Sequence, residues 1–269
     1  MGDFKLRTRS IHETKVISVS CSSLVLALLR GFIRNGFYAS FFELPDNIDL
    51  NNDYGKDMIF KNFKFYEPDV LLLNGDCISY YQELKYLCRN NNAYLIYWAS
   101  EDPLLFAHTL DICKEADLIL TPSLECCNKY KELGLNAEFF MFACDPGQHY
   151  YGKHDSELNL DLTVIDSCYA WPWYNNTLVS AIGLANKREV TLGLWEITWD
   201  NNLNTKNLLQ GRTLPYYRGY LDNYKIPDLC ASTKIILGIY NDYTSIVQTG
   251  MLPYEVLGCR GFYLTEHSP

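Results

Sequence analysis

Tyr94-Leu95-Ile96-Tyr97-Trp98-Ala99-Ser100-Glu101-Asp102-Pro103 is the stretch that decides the fold. Five apolar or aromatic residues run without polar alternation and then break into a small, acidic turn stopped by proline. Such a run is the mark of a strand covered on both faces, as in a parallel sheet. Asp69-Val70-Leu71-Leu72-Leu73 reads the same way, and residues 79–90 between the two carry helical periodicity. Upstream, residues 16–19 form a β-branched strand candidate and 20–23 a serine-rich turn. Residues 24–35 then read as a helix stopped by Gly36, and 37–42 as a second strand. Residues 46–57 are rich in Asn and Asp and read as a loop. Downstream come a helix over 104–116, a short strand at 118–120, the turn Thr121-Pro122-Ser123, a helix ending at Gly134, and a strand at 137–142.

Strand, helix and strand at this spacing give right-handed crossovers and a parallel sheet, so residues 1–145 are expected to form a Rossmann-like domain. Residues 146–159 hold Gly147 and Gly152 among polar side chains and are expected to be a hinge. A second α/β series occupies residues 160–269. Its strands are expected at 162–165, 189–194, 234–240 and 261–265, its helices at 175–185, 226–232 and 253–258, and a polar loop at 201–212. The fold class is therefore α/β, with two consecutive Rossmann-like domains and a cleft between their parallel sheets. Ligands of open α/β sheets bind at the carboxyl ends of the strands.

Composition removes other classes. The 269 residues are 48% hydrophobic and 20% charged, which suits one large or two modest cores rather than a disordered chain. A net charge of −9 argues against a broad nucleic-acid surface, although a local basic groove is compatible with it. Of the ten cysteines, Cys21, Cys77, Cys88, Cys113, Cys144, Cys168, Cys230 and Cys259 lie scattered in apolar stretches. Cys126 and Cys127 are adjacent, and no Cys/His group has zinc-like spacing, so no metal is expected. Free thiols fit a reducing cytoplasm. The N-terminus is polar through Lys15, and the apolar run at 23–29 stops at Arg30, so no secretory signal is read. No window approaches the ~20 apolar residues of a membrane helix.

Three clusters fall at strand ends. Glu101 or Asp102, directly after an apolar strand, offers a general base toward an acceptor hydroxyl, while Asp102 equally suits a helix cap with Pro103 behind it. Glu255 can accept hydrogen bonds from two vicinal hydroxyls, or simply complement a helix dipole. Thr121 and Ser123 suit a phosphate or an ordinary cap, and Ser22 stands where a phosphate loop would sit. There is no G-x-G-x-x-G, no P-loop and no G-x-S-x-G, which lowers dehydrogenase, NTPase and hydrolase readings. His108 reads as a core or rim histidine, and His149 and His154 as solvated hinge residues. Trp171, Trp173, Trp195 and Trp199 suit base stacking or core packing.

Taken in order, these pieces resemble the CgeB-like spore-maturation glycosyltransferases and their phage relatives. The matching stretches are Tyr97 to Pro103, Ala116 to Ser123, Lys129 to Gly134, Phe142-Ala143-Cys144-Asp145-Pro146, Ile226-Pro227-Asp228-Leu229 before Ser232 to Leu237, and Tyr254-Glu255-Val256-Leu257-Gly258-Cys259-Arg260-Gly261-Phe262. The resemblance spans about residues 16 to 265 and implies the GT-B fold, with an N-terminal acceptor domain and a C-terminal nucleotide-sugar domain. It implies transfer from a nucleotide sugar, a UDP-sugar first among them, to a hydroxyl acceptor, with no bound metal or cofactor. Glu255, with Tyr254 and Gly258 in the same motif, would hold the donor, and Glu101 or Asp102 would lie at the acceptor. Lys234 and Arg218 are the candidates for charge on the leaving diphosphate. Leu252 stands where relatives carry an Arg, and the chain closes soon after its last strand. Both features favour the alternative of a non-catalytic nucleotide-sugar binding protein. Modification of DNA bases is a third reading, and exposed aromatics would allow an oligomer.

Overall fold

The computed structural model describes residues 10–19, 22–43, 53–75, 80–166, 176–196, 214–239 and 251–265. The chain divides into two compact units, Met1–Met141 and Phe142–Pro269.

The first unit is a six-stranded sheet: β1 (Lys15–Ser18), β2 (Tyr38–Phe41), β3 (Val70–Asn74), β4 (Tyr94–Trp98), β5 (Leu118–Thr121) and β6 (Ala137–Phe139). The strands lie in the order β2-β1-β3-β4-β5-β6, and every neighbouring pair is parallel. The order reverses between β1 and β3, so the switch point of this sheet lies there. Helices α1 (Ser23–Arg34), α2 (Asp53–Tyr66), α3 (Tyr81–Asn91), α4 (Phe106–Glu115) and α5 (Leu124–Glu132) make the crossovers. On one face Ile17, Leu71, Leu73, Leu95, Tyr97 and Ile119 pack against Ile59, Phe63, Leu84, Ile112 and Tyr130 of the helices. On the other, Val16 meets Val25 and Leu29 of α1.

Start and stop chemistry follows the sequence. Ser22 and Ser123 cap α1 and α5 by accepting from the backbone N–H of Val25 and Cys126. Gly134 takes the left-handed φ of +76° just past α5, a conformation that costs a side chain dearly. Residues 53–57, expected as loop, are instead the first turns of α2. Their Asn/Asp-rich approach resembles a turn, but Ile59 and Phe63 four positions apart bury one helical face.

The second unit is a five-stranded sheet of β7 (Leu162–Asp166), β8 (Leu192–Glu196), β9 (Tyr217–Tyr220), β10 (Ile235–Gly238) and β11 (Tyr263–Thr265). Its order is β11-β10-β7-β8-β9, again all parallel, with the switch point between β7 and β10. Helices α6 (Asn176–Asn186), α7 (Ile226–Ser232) and α8 (Leu252–Gly258) complete it. The strand expected at 189–194 begins only at Leu192. Strand β9 was not foreseen: Tyr217-Arg218-Gly219-Tyr220 has no β-branched residue. It pairs through an irregularity, with Leu194 opposite Tyr217 but Trp195 opposite Gly219. The expected loop at 201–212 lies outside the described residues.

Residues 146–159, read as a hinge, are held within this unit. Lys153 N donates to Asp228 Oδ1 at 2.9 Å and Asp155 N to Ser232 Oγ at 2.8 Å, both on α7. Gly152 presses on the first turn of the same helix, where an added Cβ would lie 2.1 Å from the backbone C and O of Pro227. Among the described residues no helix is long and apolar enough to cross a membrane.

Gly152→Ala and Gly183→Ala should therefore move stability in opposite directions. The first forces backbone apart and should cost about 2 kcal/mol or more, a Tm drop of several degrees. The second adds a methyl into open space in the middle of α6 and should gain roughly 0.5–1 kcal/mol. Thermal unfolding of the two variants beside the parent chain checks both signs.

Candidate functional site

At the carboxyl edge of the first sheet, β4 and β5 deliver their polar turns side by side. Asp102 is 1% exposed and faces inward. Its carboxylate accepts from Thr121 Oγ1 at 2.7 Å and from the Tyr130 hydroxyl at 3.1 Å. Burial pushes its carboxyl up to about 6, and the two hydroxyl donors hold back part of that rise. The helix-cap reading of Asp102 is corrected: α4 starts later, at Phe106 behind Leu105, and the Asp102 side chain is committed to Thr121 and Tyr130. Glu101, by contrast, is exposed. Asn74, at the end of β3, donates to Ser100 Oγ at 2.8 Å and to the Trp98 carbonyl at 2.9 Å, which fixes the start of the turn. A small cavity of about 10 Å³, the room of about one water, lies among Gly75, Ser100, Glu101 and Asp102.

Thr121 and Ser123 do not present hydroxyls to a phosphate. Both are buried: Thr121 donates to Asp102 and accepts from Ser123 N, while Ser123 caps α5. Ser22 is exposed and caps α1 at the carboxyl end of β1.

In the second unit Glu255 rides on α8, in the crossover that leaves the switch-point strand β10 and enters β11. Its side chain is 17% exposed, and burial pushes its carboxyl up to about 7. Tyr254 beside it is half-buried. Gly258 is a packing residue: a Cβ there would lie 2.8 Å from Cys144 Cβ and 3.2 Å from His149 Cβ. That contact seats α8 on the first loop of the unit. His149, read as solvated, is 7% exposed. Its Nδ1 accepts from Asp145 N at 3.0 Å, and its Nε2 stands 3.7 Å from Glu255 Oε1. The correction has a simple cause: Asp145 begins a tight turn that folds the imidazole under α8.

The two cations expected at the diphosphate lie on different parts of the second sheet. Lys234 precedes β10, at the amino ends of the strands, and its Nζ is 2.6 Å from Asp161 Oδ1. That bond holds the Asp161 carboxyl well below the usual range. Arg218 is exposed on the edge strand β9 and lines an open cavity of about 330 Å³ with Asp161, Arg188, Thr191 and Tyr216. Lys234 belongs to the edge opposite the carboxyl ends, because a residue just before a strand cannot reach the turn that follows it, whereas Arg218 sits within β9 beside the middle of β8.

Sequence reasoning missed Asn74, Tyr130 and His149. Only Tyr130 carried a signal, as a lone hydroxyl on the buried stripe of α5 with Cys126 and Cys127. The described cysteines are free, and burial raises the Cys88 and Cys113 thiols to about 12 and about 11. Among the described residues no group of His, Cys, Asp and Glu could hold a metal ion. Trp195, on β8, packs against the apolar cluster of Ile165 and Ile236, whereas Trp171, Trp173 and Trp199 lie outside the described residues.

Two consecutive parallel α/β units are the GT-B architecture. Solved structures share it. HepE from Anabaena, solved in complex with UDP and glucose, superposes with a TM-score of 0.61 at 11% identity, covering 94% of this chain and 80% of its own. A glycosyltransferase from Rickettsia africae gives 0.58 at 10% identity, over 94% of this chain and 79% of its own. The UDP-N-acetylglucosamine 2-epimerase of Rickettsia bellii gives 0.52 at 14% identity, over 84% and 74%. The sequence itself matches no protein-family model and no curated protein. What is shared at this identity is the fold, and the fold serves both transfer and epimerisation.

The two buried acids set a pH dependence. Both carboxyls are raised above their unfolded values of 3.8 and 4.5, so the folded state prefers their protonated forms. Their contribution is full below about pH 4 and is lost as pH rises through about 6 and 7. Tm should fall across that window, by the equivalent of roughly 2–3 kcal/mol for each acid. Asp102→Asn and Glu255→Gln should each flatten the slope whatever their absolute Tm, which melting curves from about pH 4.5 to about pH 8 will show.

Proposed function

We propose that this chain is a glycosyltransferase that takes a sugar from a nucleotide-activated donor, a UDP-sugar in first place, and passes it to an acceptor hydroxyl. The observation that carries the proposal is Glu255, a mostly buried acid on the crossover that leaves the switch point of the second sheet. A carboxylate in an apolar wall gains from hydroxyl donors, and the vicinal hydroxyls of a nucleotide ribose supply two at the right separation. HepE, on the same architecture, binds UDP, which supports the donor class. The ordered motifs support a CgeB-like branch.

In this reading the second unit holds the donor and the first receives the acceptor. The bond from the anomeric carbon to the diphosphate oxygen breaks, a bond from that carbon to the acceptor oxygen forms, and the acceptor proton passes to a base. For transfer with inversion the base is Glu101, exposed on the turn after β4. Asp102 lies beneath it and holds the turn through Thr121 and Tyr130 rather than touching substrate. No resident metal is needed if protein donors meet the charge of the leaving diphosphate. Lys234 and Arg218 are not assigned that task.

A second reading, a nucleotide-sugar binding protein without turnover, is favoured by Leu252. The residue in the place of the usual Arg is half-buried and packs against the apolar cluster of the second unit.

Incubation with UDP-, GDP-, dTDP- and CMP-sugars, with free nucleotide measured, separates the two. The expected outcome is release from one donor, reduced at least about a hundredfold in Glu255→Ala and at least about tenfold in Glu101→Gln. Binding of nucleotide without release from any donor would establish the second reading.

A further inference from the structure

We propose that His149 is the positioning residue of the donor site: it presents Nε2–H to one oxygen of Glu255 and leaves the other oxygen to the vicinal hydroxyls of a nucleoside diphosphate. The inference rests on the reading of Glu255 as the ribose-binding acid and adds the group that aims it.

The tautomer follows from the backbone. Asp145 N–H can only donate, and it points at His149 Nδ1 from 3.0 Å, so in the neutral ring the proton sits on Nε2. That nitrogen faces Glu255 Oε1 at 3.7 Å, just beyond hydrogen-bond length, a gap that closes by a small rotation of either side chain. The ring cannot swing away. It is buried, and its Cβ lies close to Gly258, where an added Cβ would stand 3.2 Å from it.

The other ionisable groups around Glu255 do not compete for the role. The free thiols of Cys230, on α7, and Cys259, just past α8, are hydrogen-bonded to each other. Arg260 stacks over the Tyr151 ring at 5.6 Å. Asp145 directs Oδ1 to Gly147 N at 3.0 Å. A carboxylate so enclosed ionises readily only when hydroxyl donors arrive, so nucleotide affinity should rise with pH while Glu255 titrates. Loss of the His149 donor should push that rise to higher pH.

The test has two independent readouts. In the ligand-free protein, ¹⁵N spectra of the imidazoles should show His149 as the Nε2–H tautomer, with a shift that follows Glu255 and stops doing so in Glu255→Gln. UDP affinity is then measured by calorimetry at about pH 6 and about pH 8. His149→Phe should weaken UDP about tenfold at the lower pH and less at the higher, and His149→Gln, whose amide can still donate, should restore most of it. The double variant H149F/E255Q should be no weaker than E255Q alone. An Nδ1–H tautomer, or additive losses in the double variant, would overturn the proposal even if every variant binds. Failure of the parent chain to bind UDP, with the imidazole still following Glu255, would instead overturn the donor-site reading and leave the His149–Glu255 pair standing.

Discussion

Parallel pairing is the constraint on which the rest of this molecule depends. Each adjacent strand pair in both sheets runs the same way, so every connection must cross over the sheet and every inner strand is covered on two faces. Leu71, Leu72 and Leu73 on consecutive positions are all at most 1% exposed, which alternation would forbid in a half-solvated strand. Polar chemistry is thereby expelled from the strands to their ends. Asn74, Ser100, Asp102, Thr121 and Ser123 collect at one edge of the first unit, where β3, β4 and β5 end.

The same constraint locates the acid of the second unit. Right-handed crossovers lead away in opposite directions from β7 and β10, and the chain leaving β10 must turn down through α8 to reach β11. Glu255 sits in that passage. Its helix is short, and what fixes it is close contact: Gly258 on Cys144 and His149 on one side, Gly261 on Cys230 and Val256 on the other. A side chain at either glycine would lift the helix, and the carboxyl with it.

How much of this was legible depended on the strength of the period. Residues 94–98 were read to the residue because an apolar run between turn signals has one interpretation, and 226–232 because proline opens the helix and a β-branched residue closes it. Strand β9 was invisible, since Arg218 and Gly219 are poor strand formers and the ladder itself is broken there. The start of α2 was hidden by asparagines, and the helix is identified only by its distant partners in the core. Lys234 and Arg218 were chosen for their charge, but charge has no period. Only the topology shows that Lys234 lies at the amino ends of the strands and Arg218 within the edge strand β9. His149 was misread because its burial comes from a turn at Asp145 and a glycine 109 positions along, contacts between residues that no local pattern joins.

The two buried acids look alike and are not. Burial raises both, yet Asp102 already receives two hydroxyl donors, and the first of them is short. One of these donors is itself tied in, since the Tyr130 hydroxyl accepts from the Cys113 thiol. Glu255 is raised by burial, with no hydrogen-bond donor offsetting it among the described residues, and the nearest ring nitrogen stands 3.7 Å away. A buried carboxyl short of donors is a standing cost that folding alone gives no reason to keep. Any hydroxyl donor that reached it would lower that cost. Of the two acids, then, Asp102 has its rise held back by two hydroxyl donors, while among the described residues Glu255 has burial alone.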